Sequence, residues 1–312
     1  VLTQWIIDGL VVRYPFLSAG VIGKSVMGKD IHSLWIGTGE KQVFYSASYH
    51  ANESITTPVL LTFVEEYAAA YAAGGNIVFS SAVREEHSGQ TGMGQESVDA
   101  RTLFDEYRLC MVPLVNPDGV DLVNGLLNSG IYYRRARQIA DDYPAIPFPD
   151  GWKANIDGVD LNLQFPAGWE MAKQIKFSQG YDKPAPRDFV GEAPLTAPES
   201  VAVYELTKEN DFLLILAYHT QGEVIYWKYL DYEPARSKEI ADYFASVSGY
   251  AVEETPSASG YAGYKDWFIE EYDRPGYTVE AGMGENPLPM TQVERIYHDN
   301  KGILVGGMTQ LR

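Results

Sequence analysis

Cysteine is almost absent from this chain of 312 residues: Cys110 is the only one, so no intrachain disulfide can form. It sits in the apolar run Leu109-Cys110-Met111-Val112 without the companions of a thiol nucleophile, and is expected to be a buried structural thiol. Long hydrophobic runs are also missing. No window reaches the roughly 18 consecutive apolar residues of a membrane-spanning helix, so no membrane insertion is expected. Positive charge is scarce, with 24 Lys and Arg against 42 Asp and Glu and a formal net charge of −18. A field of that sign repels nucleic acid and anionic membrane surfaces, and neither is expected as a partner. No Gly-x-Ser-x-Gly elbow is present, which argues against a serine hydrolase. The stretch Ser18 to Ser25 ends like a phosphate-binding loop but has Ser18 where the first glycine is required. The start, Val1-Leu2-Thr3-Gln4-Trp5, lacks an initiator Met and a secretory pattern and reads as a processed or truncated product.

What remains is globular: 46% of residues are hydrophobic and 21% charged, enough apolar content for a sizeable core. There is no internal repeat, and no linker divides the chain. An irregular, proline-rich stretch at about 141–155 lies between motifs that belong to one site, so one domain over residues 1–312 is expected. Strand-like runs occur at 42–48, 77–80, 109–115, 212–218 and 277–280, several of them continuously apolar as in strands covered on both faces. Helix-like segments at 56–71, 198–208, 234–246 and 290–307 alternate with them. The expected fold is α/β, with a mixed, largely parallel sheet flanked by helices on both faces. In such sheets the site lies at the carboxyl ends of the strands.

Three groups of residues fall there. In Tyr49-His50-Ala51-Asn52-Glu53-Ser54, a His and a Glu on a tight turn after a strand can both point at one ion. By itself such a pair is weak. In Ala217-Tyr218-His219-Thr220-Gln221-Gly222, a histidine ends an apolar strand before a polar turn, which also suits an ordinary hydrogen-bonded strand-end histidine. In Tyr277-Thr278-Val279-Glu280-Ala281-Gly282, a carboxylate closes a short apolar strand and must be solvated, paired or functional. His32, His87 and His298 lack such settings and read as surface or packing residues.

Joined in chain order with Pro113-Leu114-Val115-Asn116-Pro117-Asp118-Gly119, Gly158-Val159-Asp160-Leu161-Asn162 and Asp266-Trp267, these motifs resemble the zinc carboxypeptidase (peptidase M14) superfamily across almost the whole chain. Within it, Trp152-Lys153-Ala154-Asn155, Leu161 to Ala167, Tyr261 to Phe268 and Asn286-Pro287-Leu288-Pro289 look most like the bacterial γ-D-glutamyl-meso-diaminopimelate peptidase I group. No stretch resembles the wall-binding LysM modules that some members carry, so the catalytic domain alone is expected.

The resemblance implies one Zn2+ ion held by His50, Glu53 and His219, Glu280 as general base, and Lys153 where animal carboxypeptidases stabilise the oxyanion with an arginine. It implies that Asn162 contacts a substrate carboxylate. Leu163 stands where the animal enzymes clamp that carboxylate with an arginine, which leucine cannot replace. Tyr261, ranked above Tyr264, is the candidate substrate-capping tyrosine, although either could be a packing aromatic.

The implied activity is hydrolysis of the γ-D-glutamyl-meso-diaminopimelate bond in a peptidoglycan stem peptide or muropeptide, by a zinc-activated water with a glutamate base. Other acyl-amino-acid substrates, or a catalytically dead wall-peptide binder, are the alternatives. Cell-wall work suggests export, while muropeptide recycling would keep the enzyme in the cytoplasm. The basic run Tyr132-Tyr133-Arg134-Arg135-Ala136-Arg137 either supplies cations for the substrate's carboxylates or is a solvated helical face.

Overall fold

Continuously apolar segments become the central strands of the computed structural model, which describes residues 2–84 and 91–311. In chain order the strands are β1 (Ser18–Lys24), β2 (Asp30–Ile36), β3 (Lys41–Ala47), β4 (Asn76–Arg84), β5 (Thr91–Asp99), β6 (Tyr107–Val112), β7 (Phe212–His219), β8 (Val224–Tyr226), β9 (Ala251–Glu253) and β10 (Gly276–Glu280). Eight of them form one mixed sheet in the order β1-β2-β6-β3-β7-β10-β8-β9. The middle neighbours β6, β3, β7 and β10 run parallel, with antiparallel strands joining on either side.

Side-chain alternation along these strands divides the core in two. Val43, Tyr45, Leu214, Leu216 and Val279 face the helices Thr56–Ala73, Ser237–Ser248 and Val293–Thr309. Phe44, Cys110, Val112 and Ala217 face Pro198–Lys208 and Tyr264–Tyr272. Cys110 is fully buried in that second layer, as a structural thiol should be. Phe44 stacks on Phe212 at 5.1 Å and meets Tyr264 edge-on at 5.8 Å, so the layer between sheet and helices is largely aromatic.

The run at 77–80 departs from expectation. It lies in β4, which pairs with β5 in a separate antiparallel ribbon outside the main sheet. Ile77 and Phe79 are buried while Val78 is 42% exposed, the alternation of a strand with one wet face. The irregular segment near 141–155 is the expected loop after the helix Gly130–Asp141.

Candidate active site

The site begins where three neighbouring parallel strands end. His219 is the last residue of β7, Glu280 the last of β10, and the two are paired across the sheet. His50 and Glu53 follow β3, the latter in the short 3-10 turn Ala51–Glu53. That turn is clamped from below by Asn116. Its Nδ2 donates to the carbonyls of Tyr49 and Ala154, both at 3.0 Å, and its Oδ1 accepts from Gly119 N–H at 3.0 Å. Gly119 must be glycine, because a Cβ there would lie 2.7 Å from the Ala154 carbonyl oxygen and 2.8 Å from the Ala51 Cβ. The Pro113–Gly119 motif therefore fixes the His50 turn and the Lys153 loop against one another.

His50, Glu53 and His219 converge. Glu53 Oε1 is 2.9 Å from His50 Nδ1, Glu53 Oε2 is 3.0 Å from His219 Nδ1, and the two Nδ1 atoms are 3.2 Å apart. Donor atoms about 2.0–2.1 Å from a tetrahedral metal stand about 3.3 Å from one another, so these spacings are those of a ligand set. Two imidazoles and one carboxylate also make a donor set that suits zinc. Among the described residues this is the group of His, Cys, Asp and Glu side chains placed to hold a metal ion. His50 Nε2 is fixed at 3.1 Å by Asp160 Oδ1, leaving Nδ1 to face the other ligands. Asp160 also accepts from the Asn162 and Asp188 N–H groups.

The electrostatics follow from burial and charge. Burial disfavours a charged His50, but the Glu53 and Asp160 carboxylates overcome it and raise the imidazole to about 9. His219 is lowered by burial. Asp160, despite its burial, is held well below the usual carboxylate range by His50. Glu280 makes no hydrogen bond or ion pair among the described residues, and burial together with the Glu53 carboxylate pushes it up to about 8. A cation at the triad would oppose that shift and return Glu280 toward the basic form.

Two hollows meet here. The wider, about 860 Å³, is walled by the loop residues Ile146, Pro147 and Asp150 and by Gln221 and Asn286. The narrower, about 250 Å³, contains His50, His219, Asn162 and Leu163. Lys153, Arg187, Tyr226 and Glu280 border both. Lys153 Nζ donates to Glu53 Oε1 at 2.9 Å, and its ammonium is stabilised against burial by that carboxylate. The loops after β7 and β10 are tied by a reciprocal pair: Thr220 Oγ1 donates to Asn286 Oδ1, and Asn286 Nδ2 donates back to the Thr220 carbonyl.

The family follows from comparison. The profile of the zinc carboxypeptidases, Peptidase_M14, matches residues 3–302. The chain belongs to this family. Zinc carboxypeptidase relatives include gamma-D-glutamyl-L-diamino acid endopeptidase 1 of Lysinibacillus sphaericus, 43% identical over 97% of this chain and 70% of that protein. YqgT of Bacillus subtilis, an uncharacterised protein, is 42% identical over 93% of this chain and 72% of its own length. Bovine thrombin-activatable fibrinolysis inhibitor, solved with tick carboxypeptidase inhibitor, superposes with a TM-score of 0.70 over 99% of this chain and 95% of that one. Carboxypeptidase A from Helicoverpa armigera gives 0.68 over 96% and 70%. At 15% and 19% identity these two establish the zinc carboxypeptidase fold.

Of the residues singled out in the sequence, His50, His219, Glu280, Lys153, Asn162 and Leu163 line this basin, and Glu53 lies buried against its two histidines. The tyrosines do not. Tyr261 packs edge-on to Tyr229 beside a separate hollow, and Tyr264 is fully buried with its hydroxyl 2.9 Å from Thr207 Oγ1. Tyr226, unmarked by any motif, borders the basin instead, brought there by the pairing of β8 with β10. The basic run forms the outer face of the helix Gly130–Asp141, where Arg135 pairs with Asp157 and Arg137 with Asp141. It is the solvated face; the basin's cations are Lys153, Lys176, Arg187 and Lys265. His32 lines a distant hollow beside Lys29 and Pro113, His298 is exposed, and His87 lies outside the described residues.

Proposed function

We propose that this protein hydrolyses the amide bond between a γ-D-glutamyl residue and a diamino acid in peptidoglycan stem peptides, with one zinc ion held by His50, Glu53 and His219. The observation that carries the reading is the ligand triad and the unpaired Glu280 carboxylate opening onto one basin lined by both cations and anions. The 43% identity to an enzyme named for that bond supports the substrate class. When bound, the metal supplies Lewis acidity and a water acidic enough to be deprotonated near neutral pH.

The chain's own groups do the rest. Glu280 accepts the proton of the attacking water and passes it to the departing amine, acting as base and then as acid. The Lys153 ammonium, held beside Glu53, lies where it can stabilise negative charge developing on the scissile carbonyl oxygen. Asp160 keeps the His50 ring in one orientation through both steps. Tyr226 borders both hollows whereas Tyr261 lines a separate one, so Tyr226 is the better placed of the two to cover the reacting bond.

The test is incubation of the zinc-loaded protein with L-Ala-γ-D-Glu-meso-diaminopimelate, products being read by mass spectrometry beside a chelated control. Chelator-sensitive release of L-Ala-D-Glu is expected. Stoichiometric zinc without that product, but with turnover of other acyl-amino acids, would overturn the γ-D-glutamyl assignment and leave the metal site standing.

A further inference from the structure

On that reading, the leaving group of the tripeptide is a diamino acid whose own α-carboxylate sits beside the scissile nitrogen. The acyl side of a stem peptide continues toward glycan, so it needs the wider hollow. The diamino acid fits the narrower one, of about 250 Å³. A chain of net charge −18 needs a local cation with uncommitted donors to hold a carboxylate there.

The candidates can be sorted by their existing partners. Lys153 Nζ is on Glu53 Oε1 at 2.9 Å. Lys176 Nζ is on Asp188 Oδ1 at 2.6 Å. Lys265 Nζ donates to the Lys228 carbonyl at 2.6 Å and to Thr255 Oγ1 at 3.3 Å, and pairs with Asp266 Oδ1 at 2.6 Å. Arg187 differs. Its Nε donates to Asp188 Oδ2 at 2.6 Å, while Nη1 and Nη2 make no hydrogen bond among the described residues.

The guanidinium is also held in place. Asp188 is gripped on its other oxygen by Lys176, and its N–H donates to Asp160 Oδ2 at 3.1 Å. The second oxygen of Asp160 is the one that fixes the ligand His50. Two residues, Asp188 and Asp160, thus connect Arg187 to His50 of the proposed metal triad. Nearby, Asn162 Oδ1 accepts from Tyr264 N–H at 3.1 Å, which leaves Asn162 Nδ2 as a second unpaired donor in the same hollow. Leu163 offers no donor; it packs with Trp169, Val190 and Ala262.

We propose that Arg187 binds the α-carboxylate of the leaving diamino acid, with Asn162 Nδ2 beside it, and so supplies from a different loop the guanidinium that position 163 lacks. A planar fork fixed through Nε and open at both Nη atoms is preorganised for a bidentate carboxylate.

The experiment compares wild type, Arg187→Gln and Arg187→Lys, each zinc-loaded and checked for metal content. The substrates are L-Ala-γ-D-Glu-meso-diaminopimelate, its analogue amidated at the diamino acid α-carboxylate, and the isoglutamine analogue amidated on the D-glutamyl carboxylate. Wild type is expected to prefer the free acid over the diamino acid amide by about 10- to 100-fold in kcat/KM. Arg187→Gln should reduce that ratio to near one through a raised KM on the acid, and Arg187→Lys should restore part of it.

Equal losses on acid and amide in both variants would mean a merely structural role and overturn the proposal. A ratio that collapses only for the isoglutamine pair would overturn it too, by assigning Arg187 to the D-glutamyl carboxylate. If wild type turns over other acyl-amino acids instead, the functional reading fails, and the same acid-to-amide ratio on those substrates decides the role of Arg187 separately. Calorimetric binding of free meso-diaminopimelate gives a readout independent of turnover, expected to weaken by the same factor in Arg187→Gln and overturning the proposal if unchanged.

Discussion

Glu53 bears more contacts than any other side chain in the site: both histidines, the Thr220 N–H and the Lys153 ammonium. Those contacts hold its carboxylate ionised in a fully buried position, whereas Glu280, with no donor to receive, is pushed toward neutrality. On the proposed reading the two carboxylates divide their work by environment, one as ligand and one as proton carrier. Replacing Glu280 by Gln removes proton transfer without touching the ligands. It should lower kcat by about 10²- to 10⁴-fold with zinc stoichiometry unchanged, as measured by steady-state kinetics and metal analysis. His50 gives a second prediction, with a defined sign. Its imidazole is raised to about 9 by Glu53 and Asp160, so at pH 7.5 it holds a proton that a metal must displace. Zinc binding to the chelator-treated chain at pH 7.5 should release at least one proton, from His50 and in part from Glu280, and affinity should climb with pH until about 9. Titration calorimetry in buffers of different ionisation enthalpy measures the count; no net release would refute the protonated ground state.

At the level of elements, the strand ends explain which parts of the site are legible in sequence. β3, β7 and β10 are buried and largely apolar over their central residues, so a polar residue at or just beyond the end of each stands out. Asp160 is legible as part of its motif, although its bond to His50 follows only from the fold. Arg187 and Tyr226 carry no such mark. Arg187 lies in an irregular loop, and Tyr226 sits on a strand of three residues whose position depends on pairing with β10. The apolar run at 77–80 marks β4, but its partner β5, half-exposed or exposed over 94–99, escapes a reading based on apolar runs, and so does their pairing outside the main sheet. The Pro113–Gly119 motif acts at this scale too, by holding the ligand turn. Gly119→Ala would drive a Cβ against the Ala154 carbonyl and the Ala51 side chain. A loss of about 1–3 kcal/mol is expected from such overpacking, together with weakened zinc affinity, read by denaturant unfolding and competitive chelation. A variant as stable as wild type and with unchanged zinc affinity would show that the clamp is not needed.

The whole molecule sets a cationic pocket inside an anionic body. Lys153, Lys176, Arg187 and Lys265 gather at one basin, while the formal charge of the chain is −18. All four are paired locally, Lys153 with Glu53, Lys265 with Asp266, and Lys176 and Arg187 with a shared Asp188, so the basin gives close-range recognition without reversing the distant field. A stem tripeptide with several free carboxylates is repelled on approach and attracted only within hydrogen-bonding range. The Debye length falls from about 30 Å at 0.01 M salt to about 8 Å at 0.15 M, which screens the distant repulsion while leaving partly buried contacts nearly intact. Raising ionic strength over that range should therefore increase kcat/KM for the tripeptide severalfold through a lower KM. The analogue with both α-carboxylates amidated should respond much less. Were the basin's own cations to dominate the approach, the tripeptide's kcat/KM would instead fall with salt, and Arg187→Gln would flatten that fall. The direction of the salt effect, measured with one enzyme and two substrates, thus reports whether the surface or the pocket governs capture.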